Sequence, residues 1–218
     1  MMEPEKGASE EPPIDERLTR LIASEELVDS LATFGDGGLN IATQVLGGFP
    51  VFGAFVNGYR AVADIRKEME FRKIVRFLNG LEKASAEDRQ AFTKKLRDEN
   101  RLEEFGQNVL LLLSRLDDMS KPAIIGRVMA AHIEGKINYD KAMRLSAIVD
   151  RSYATDLDYL RTFKEGVQRG GADIATMLFS VGLLADRGSD GGEYSDPESG
   201  GTLFALNEYG ELLLKYGL

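Results

Sequence analysis

The sequence predicts a mainly α protein, in which a multi-helix bundle is followed by a small C-terminal β-hairpin. Three observations lead to this fold class. Apolar residues recur at three- and four-residue spacing through most of residues 14–168, and helix-start signals separate these runs. After Gly170 and Gly171 the pattern changes to short apolar runs joined by a glycine-rich stretch, which is typical of paired strands.

The first predicted element is an amphipathic helix that follows a disordered acidic tail. Residues 1–13 are polar, acidic and rich in proline, so they carry too little apolar surface to offset the entropy of ordering. From residue 14 to residue 34 apolar residues fall at helical spacing, after a Pro12-Pro13 pair that suits a helix start. These apolar residues are Leu18, Leu21, Ile22, Val28 and Leu31.

Segment 37–59 carries no charged residue and closes the N-terminal unit, residues 14–59. It is long enough to span a bilayer, which needs about 20 apolar residues. Polar residues dilute it, however, and Gly47, Gly48 and Pro50 predict a break into two short helices. We expect a buried helical hairpin, and the alternative is a membrane-inserting element. The candidate membrane or partner contacts are Phe49, Val51, Phe52, Phe55 and Val56.

A helix with many basic residues is predicted to follow and to open the bundle, residues 60–168. Its apolar residues from Phe71 to Leu81 fall on one face. The basic residues interleave with acids, a pattern found at cytoplasmic membrane borders and also on any solvated helix face. Contact with nucleic acid would have to use this stretch, and the candidate residues are Arg66, Lys67, Arg72, Lys73 and Arg76.

The next two helices are predicted from capping residues. Ser85 precedes Asp88, and Asn100 precedes Glu103, at the spacing of a helix-capping box. The helix after Asn100 is leucine-rich and apolar on nearly all sides. We therefore expect it at the centre of the core.

Three further helices complete the bundle. One opens at Ser120 and ends near Gly135, since glycine favours the backbone conformation that ends helices. Asn138 starts the next helix, and Thr155 starts another. The apolar residues expected on the face of the last helix are Leu157, Leu160, Phe163 and Val167.

The C-terminal element, residues 169–218, has a different organisation. A short helix is predicted over residues 172–181, followed by a strand that begins after Gly182. An acidic, glycine-rich loop then leads to a second strand at residues 202–206 and to a closing helix.

Composition restricts the classes of function and the compartment. The chain has 218 residues and no cysteine, which excludes disulfides, thiolate nucleophiles and cysteine-containing zinc sites. The net charge of −9 disfavours nucleic acid as a partner. Acidic residues stand where a signal peptide would carry basic ones, so we expect a cytoplasmic protein, with membrane association as the alternative.

No set of residues predicts catalysis, a metal site or a cofactor. His132 is the single histidine, and its position beside Met129 on a helix predicts a partly buried side chain. No serine occupies a nucleophile-elbow setting. The paired acids 103–104, 117–118 and 156/158 lie in helix first turns or a solvated loop. The acids of residues 186–198 could hold calcium weakly, but their spacing departs from the EF-hand pattern.

The C-terminal sequence resembles the wing of winged-helix domains. The resemblance covers the last 45 residues or so and is carried by the run from Leu178 to Leu184 and the run from Leu203 to Leu214, separated by the glycine-rich gap. It implies a winged-helix-like hairpin. The wing is acidic where phosphate contact needs basic residues, which favours protein docking over DNA binding. The whole chain also resembles uncharacterised bacterial helical proteins that carry a glycine-rich apolar segment near the N-terminus.

These observations predict a non-enzymatic intracellular protein-interaction module, whose partner is another protein or a second copy of the chain. The basis is the lack of a convergent catalytic set and an apolar segment that needs a partner. Two alternatives remain: a membrane-associated or membrane-inserting protein acting through residues 37–59, and a winged-helix DNA-binding regulator.

Overall fold

The computed structural model of the chain describes residues 13–24, 65–169, 172–192 and 200–218. These residues form a mainly α fold with a C-terminal antiparallel hairpin, which confirms the predicted fold class. Segment 37–59 and residues 1–12 of the predicted tail lie outside the described residues.

The bundle consists of helices joined by short links. Its α-helices are α1 (Ile14–Ile22), α2 (Ile65–Leu81), α3 (Ala86–Asp98), α4 (Leu102–Arg115), α5 (Lys121–Ile133), α6 (Tyr139–Arg151) and the single turn α7 (Ala154–Leu157). A 3₁₀ helix, Asp158–Glu165, follows α7 directly. The single α-helix predicted from Thr155 is therefore wrong for most of its length, and Val167, expected on its buried face, is 54% exposed.

Helix α5 lies at the centre of the bundle. It contacts α2 along one side and α6 along another, and Ile125, Val128 and Met129 are fully buried. The prediction that the leucine-rich α4 occupies the centre is wrong, because Leu111 on its outer face is 61% exposed. Apolar composition alone did not reveal that one face of α4 would stay exposed.

Ser85 and Asn138 are confirmed as helix-capping residues, and Asn100 is not one. The side chains of Ser85 and Asn138 each accept a hydrogen bond from the backbone N–H three residues later, at 3.0 and 2.8 Å. Asn100 instead ends α3. Its φ of 57° is in the left-handed region, and the N–H of Arg101 donates to the carbonyl of Leu96. Asparagine tolerates that conformation, which is why it serves here as a helix end.

A buried arginine sets where α1 ends. Arg89 on α3 is 0% exposed and donates to the carbonyl oxygens of Ile22, the last residue of α1, of Ser24 and of Ala84, which follows α2. Carbonyls at a helix C-terminus lack partners within the helix, and a cation satisfies them well. Helix α1 ends at Ile22, and residues 25–34 of the helix predicted over residues 14–34 lie outside the described residues.

The C-terminal unit is a three-stranded antiparallel sheet flanked by two helices. It contains β1 (Gln168–Arg169), α8 (Ala172–Ser180), β2 (Leu184–Asp190), β3 (Gly201–Leu206) and α9 (Glu208–Tyr216). The strand order is β1-β3-β2. The predicted helix, two strands and closing helix are confirmed. Strand β1 was not predicted, because a strand of two residues is too short to show the alternation of apolar and polar residues that indicates a strand.

Candidate functional site

A cleft of about 660 Å³ lies between α3 and α4 on one side and α5 with the α5–α6 turn on the other. Pockets that hold small ligands have volumes of about 300–1,000 Å³. We call this the aromatic cleft, and its walls include Ala91, Phe92, Lys95, Arg101, Phe105, His132, Lys136 and Tyr139.

Four rings from both sides of the aromatic cleft meet and form a continuous aromatic wall along it. Phe92 packs edge-to-face on both Phe105 and His132, with ring centroids 5.2 and 5.4 Å apart. Tyr139 closes the group at 5.5 Å from His132 and 6.4 Å from Phe105. Edge-to-face pairs at these distances hold their geometry, so the wall is a preformed apolar surface.

The surroundings of His132 in this wall favour the neutral ring. Its Nδ1 lies 3.0 Å from the carbonyl oxygen of Ile137, which can only accept, so Nδ1 carries the proton and Nε2 is left as an acceptor. Burial lowers the pKa of His132, the Ile137 carbonyl opposes this effect, and the charge of Lys95 lowers it further. The half-buried position agrees with the sequence prediction.

Charged side chains of both signs surround the opening of the cleft. The Arg101 guanidinium lies 5.7 Å from the Tyr139 ring centroid and 3.6 and 3.9 Å from the carboxylates of Glu99 and Glu104. Lys136 pairs with Glu134 at 2.8 Å. Within the described part of the chain, Lys95 has no ion-pair partner. The opening can therefore contact a polar ligand of mixed charge around an apolar group.

The predicted acid pairs are engaged in structural contacts. Asp117 accepts from the buried ammonium of Lys121, and Asp118 accepts from the N–H and hydroxyl of Ser120. Both sets of contacts lower the carboxyl pKa values, with the hydrogen bonds from Lys121 and Ser120 as the largest causes. Asp158 lies 3.6 Å from Arg161. Among residues 13–24, 65–169, 172–192 and 200–218, no three histidine, aspartate or glutamate side chains lie close enough together to hold a metal ion.

The candidate contact residues fall into two groups. The candidate membrane or partner contacts lie outside the described residues; they are Phe49, Val51, Phe52, Phe55 and Val56. Of the candidate nucleic-acid contacts, the side chains of Arg66 and Lys67 also lie outside them. Of the described basic residues on α2, Arg72 is half-buried, and Lys73 donates to the carbonyls of Ser114 and Leu116. Arg76 donates to the carbonyl of Met119 at 3.0 Å. Lys73 and Arg76 thus bind the last turn of α4 and the segment that follows it.

Sequence reasoning did not identify the aromatic cleft. Phe92, Phe105 and Tyr139 belong to three different helices, and each fits the apolar pattern of its own helix. Phe92 and Phe105 are 40 and 27 residues before His132 in the sequence, so no local pattern brings these rings together.

No known protein family matches this chain, and comparison with curated proteins and with solved structures also found no match. Among the helices that the structure describes, none has both the length and the apolar content needed to cross a membrane.

Proposed function

We propose that this chain is a non-enzymatic intracellular protein-interaction module that binds its partner through the aromatic cleft. The cleft itself carries the proposal: a preformed space of about 660 Å³ with a wall of four rings. Interfaces concentrate their binding energy where an anchor side chain fills such a pocket and a polar rim surrounds it.

The chemistry of the lining supports binding over catalysis. The described residues around the cleft include no serine, threonine or cysteine beside His132 that could act as a nucleophile. Nδ1 of His132 hydrogen-bonds to the backbone carbonyl of Ile137, a contact that holds the ring in place. At the opening, Arg101 pairs with the carboxylates of Glu99 and Glu104.

A displayed library of random peptides tests the proposal. We expect the chain to select binding peptides, and we expect Ala91→Trp to abolish their binding, because Ala91 is exposed and its new ring would fill the cleft. Lys94→Trp is the matched control, since Lys94 is exposed on the same helix and does not line the cleft. Failure to select any peptide, or equal binding by both variants, would refute the proposal.

We further propose that the C-terminal unit is a winged-helix-like element used for protein packing. The strand order β1-β3-β2, with α8 before the hairpin, supports the resemblance. Helix α8 contains no lysine or arginine, and its exposed side chains include Met177 and Phe179. A recognition helix for DNA needs cationic and polar side chains. We expect a flat titration with duplex DNA at low salt, and salt-sensitive binding would instead favour the DNA-binding regulator.

A further inference from the structure

A second pocket adjoins the aromatic cleft and shares Lys136 with it. This pocket has a volume of about 310 Å³ and lies between the end of α2, helix α5 and the end of α9. We call it the basic pocket. Its lining comprises Lys83, Arg127, Ala131, Glu134, Lys136, Lys215, Tyr216 and Leu218. Because Lys136 lines both spaces, a bound chain that fills the cleft can continue into the basic pocket.

The charge of the basic pocket is strongly positive in a chain whose net charge is −9. Four of the side chains that line it are cationic and one, Glu134, is acidic, while a main-chain oxygen of Leu218 accepts a hydrogen bond from Arg161. Glu134 is already paired with Lys136 at 2.8 Å. Among the described residues, no salt bridge joins Lys83, Arg127 or Lys215 to a carboxylate, although the charge of Lys83 acts on the nearby carboxyl group of Glu82.

The neighbours of these cations leave their charge in place. Lys215 and Lys136 lie 5.1 and 6.0 Å from the centroid of the Tyr216 ring, whose face attracts cations without neutralising them. Arg127 donates through Nε to the carbonyl of Gly217 at 2.7 Å. Burial lowers the pKa of Arg127, and the like charge of Arg161 lowers it further, so the site favours an incoming anion.

We propose that the partner is an acidic peptide segment in which one large apolar side chain fills the aromatic cleft and adjoining carboxylates lie across Lys136 in the basic pocket. This inference rests on the proposed function and adds the chemistry of the partner. Complementary charge beside an apolar anchor gives such a segment its orientation and speeds its association.

The same displayed library tests the inference when the selected peptides are sequenced and their affinities are measured. We compare the wild-type chain with a Lys136→Glu/Lys215→Glu double variant. The matched control is Lys94→Glu/Lys164→Glu, which makes the same change of charge at exposed lysines that line neither pocket. Thermal unfolding confirms that each variant is folded.

We expect the selected peptides to carry aspartate or glutamate next to one large apolar residue. The Lys136→Glu/Lys215→Glu variant should bind them about tenfold or more weakly at low salt, while the control changes affinity by less than about twofold. Peptides that Ala91→Trp blocks but that show no acidic excess would overturn this inference and leave the proposed function standing. Equal losses in both double variants would overturn it too, and a library that yields no binder would overturn both proposals.

Discussion

Two glycines determine how closely α2 and α5 approach each other. A Cβ atom on Gly126 would lie 2.1 Å from the carbonyl oxygen of Phe77 and 2.9 Å from the Cα of Gly80. A Cβ on Gly80 would lie 2.2 Å from the carbonyl oxygen of Ala123. Because these neighbours are backbone atoms, they cannot move aside without separating the two helices.

Replacing Gly126 with alanine should therefore destabilise the fold. Alanine favours the helix by about 1 kcal/mol, but the overpacking penalty is about 1–3 kcal/mol and larger when backbone must move. We expect Gly126→Ala to lower the free energy of unfolding by about 2 kcal/mol, measured by urea denaturation. Gly191→Ala is the control, since nothing lies within 4 Å of a Cβ built there. An unchanged midpoint for Gly126→Ala would show that the helices do not meet as described.

The ionisation of His132 gives a second test at the residue scale. Its folded pKa is lower than the ordinary value of 6.5, so the unfolded chain binds a proton more readily. The stability that the neutral ring contributes is fully present above pH 6.5 and decreases as the pH falls through the folded pKa. As the single histidine, it gives one imidazole signal in the NMR spectrum.

We expect this NMR signal to titrate with a midpoint below 6.5 in the folded protein and near 6.5 in urea. The control is His132→Phe, which keeps an aromatic ring in the wall and should remove the His132 contribution to acid destabilisation. A folded midpoint above 6.5 would contradict the buried environment described for the ring.

At the scale of elements, Arg89 joins the ends of α1 and α2 to helix α3. Its guanidinium makes three hydrogen bonds of 2.6–3.0 Å to carbonyl oxygens, and replacing it with methionine leaves those oxygens without their donors. We expect Arg89→Met to cost about 3 kcal/mol of unfolding free energy. Proteolysis after the end of α1 should also become faster. The exposed Arg97 on the same helix supplies the control, and an Arg89→Met variant as stable as Arg97→Met would disprove the bridging role.

Elements set by local chemistry could be predicted, whereas those set by distant partners could not. Ser85 and Asn138 bond to backbone within their own first turn, so the sequence was sufficient to place both helix starts. The carbonyls at the end of α1 are bound by Arg89, which is 67 residues away from Ile22. The 3₁₀ helix at Asp158–Glu165 keeps an apolar pattern close to that of an α-helix, so spacing alone did not separate the two.

At the scale of the whole molecule, both the centre of the core and the aromatic cleft arise from packing between elements. Helix α5 is central because Gly80 and Gly126 admit α2 on one side. The cleft forms because Phe92, Phe105 and Tyr139, from three helices, pack on one another and leave open space beside them. Neither arrangement is encoded in the apolar spacing of a single helix, and so the sequence predicted the fold class but not the site.

The uncharged segment 37–59 connects the two described parts of the bundle, and the sequence predicts that it is a buried helical hairpin. On that interpretation, Phe52→Asp places a carboxylate in apolar surroundings. It should lower the free energy of unfolding by about 3 kcal/mol or more, measured by urea denaturation. Asn57→Asp, which adds the same charge without removing an apolar side chain, should lower the free energy of unfolding by less.

The wild-type chain should remain unbound in a liposome flotation assay. Flotation that is lost in Phe52→Asp or Phe55→Asp would contradict the buried hairpin and favour the membrane-inserting alternative, because an aspartate at the lipid-facing position opposes insertion.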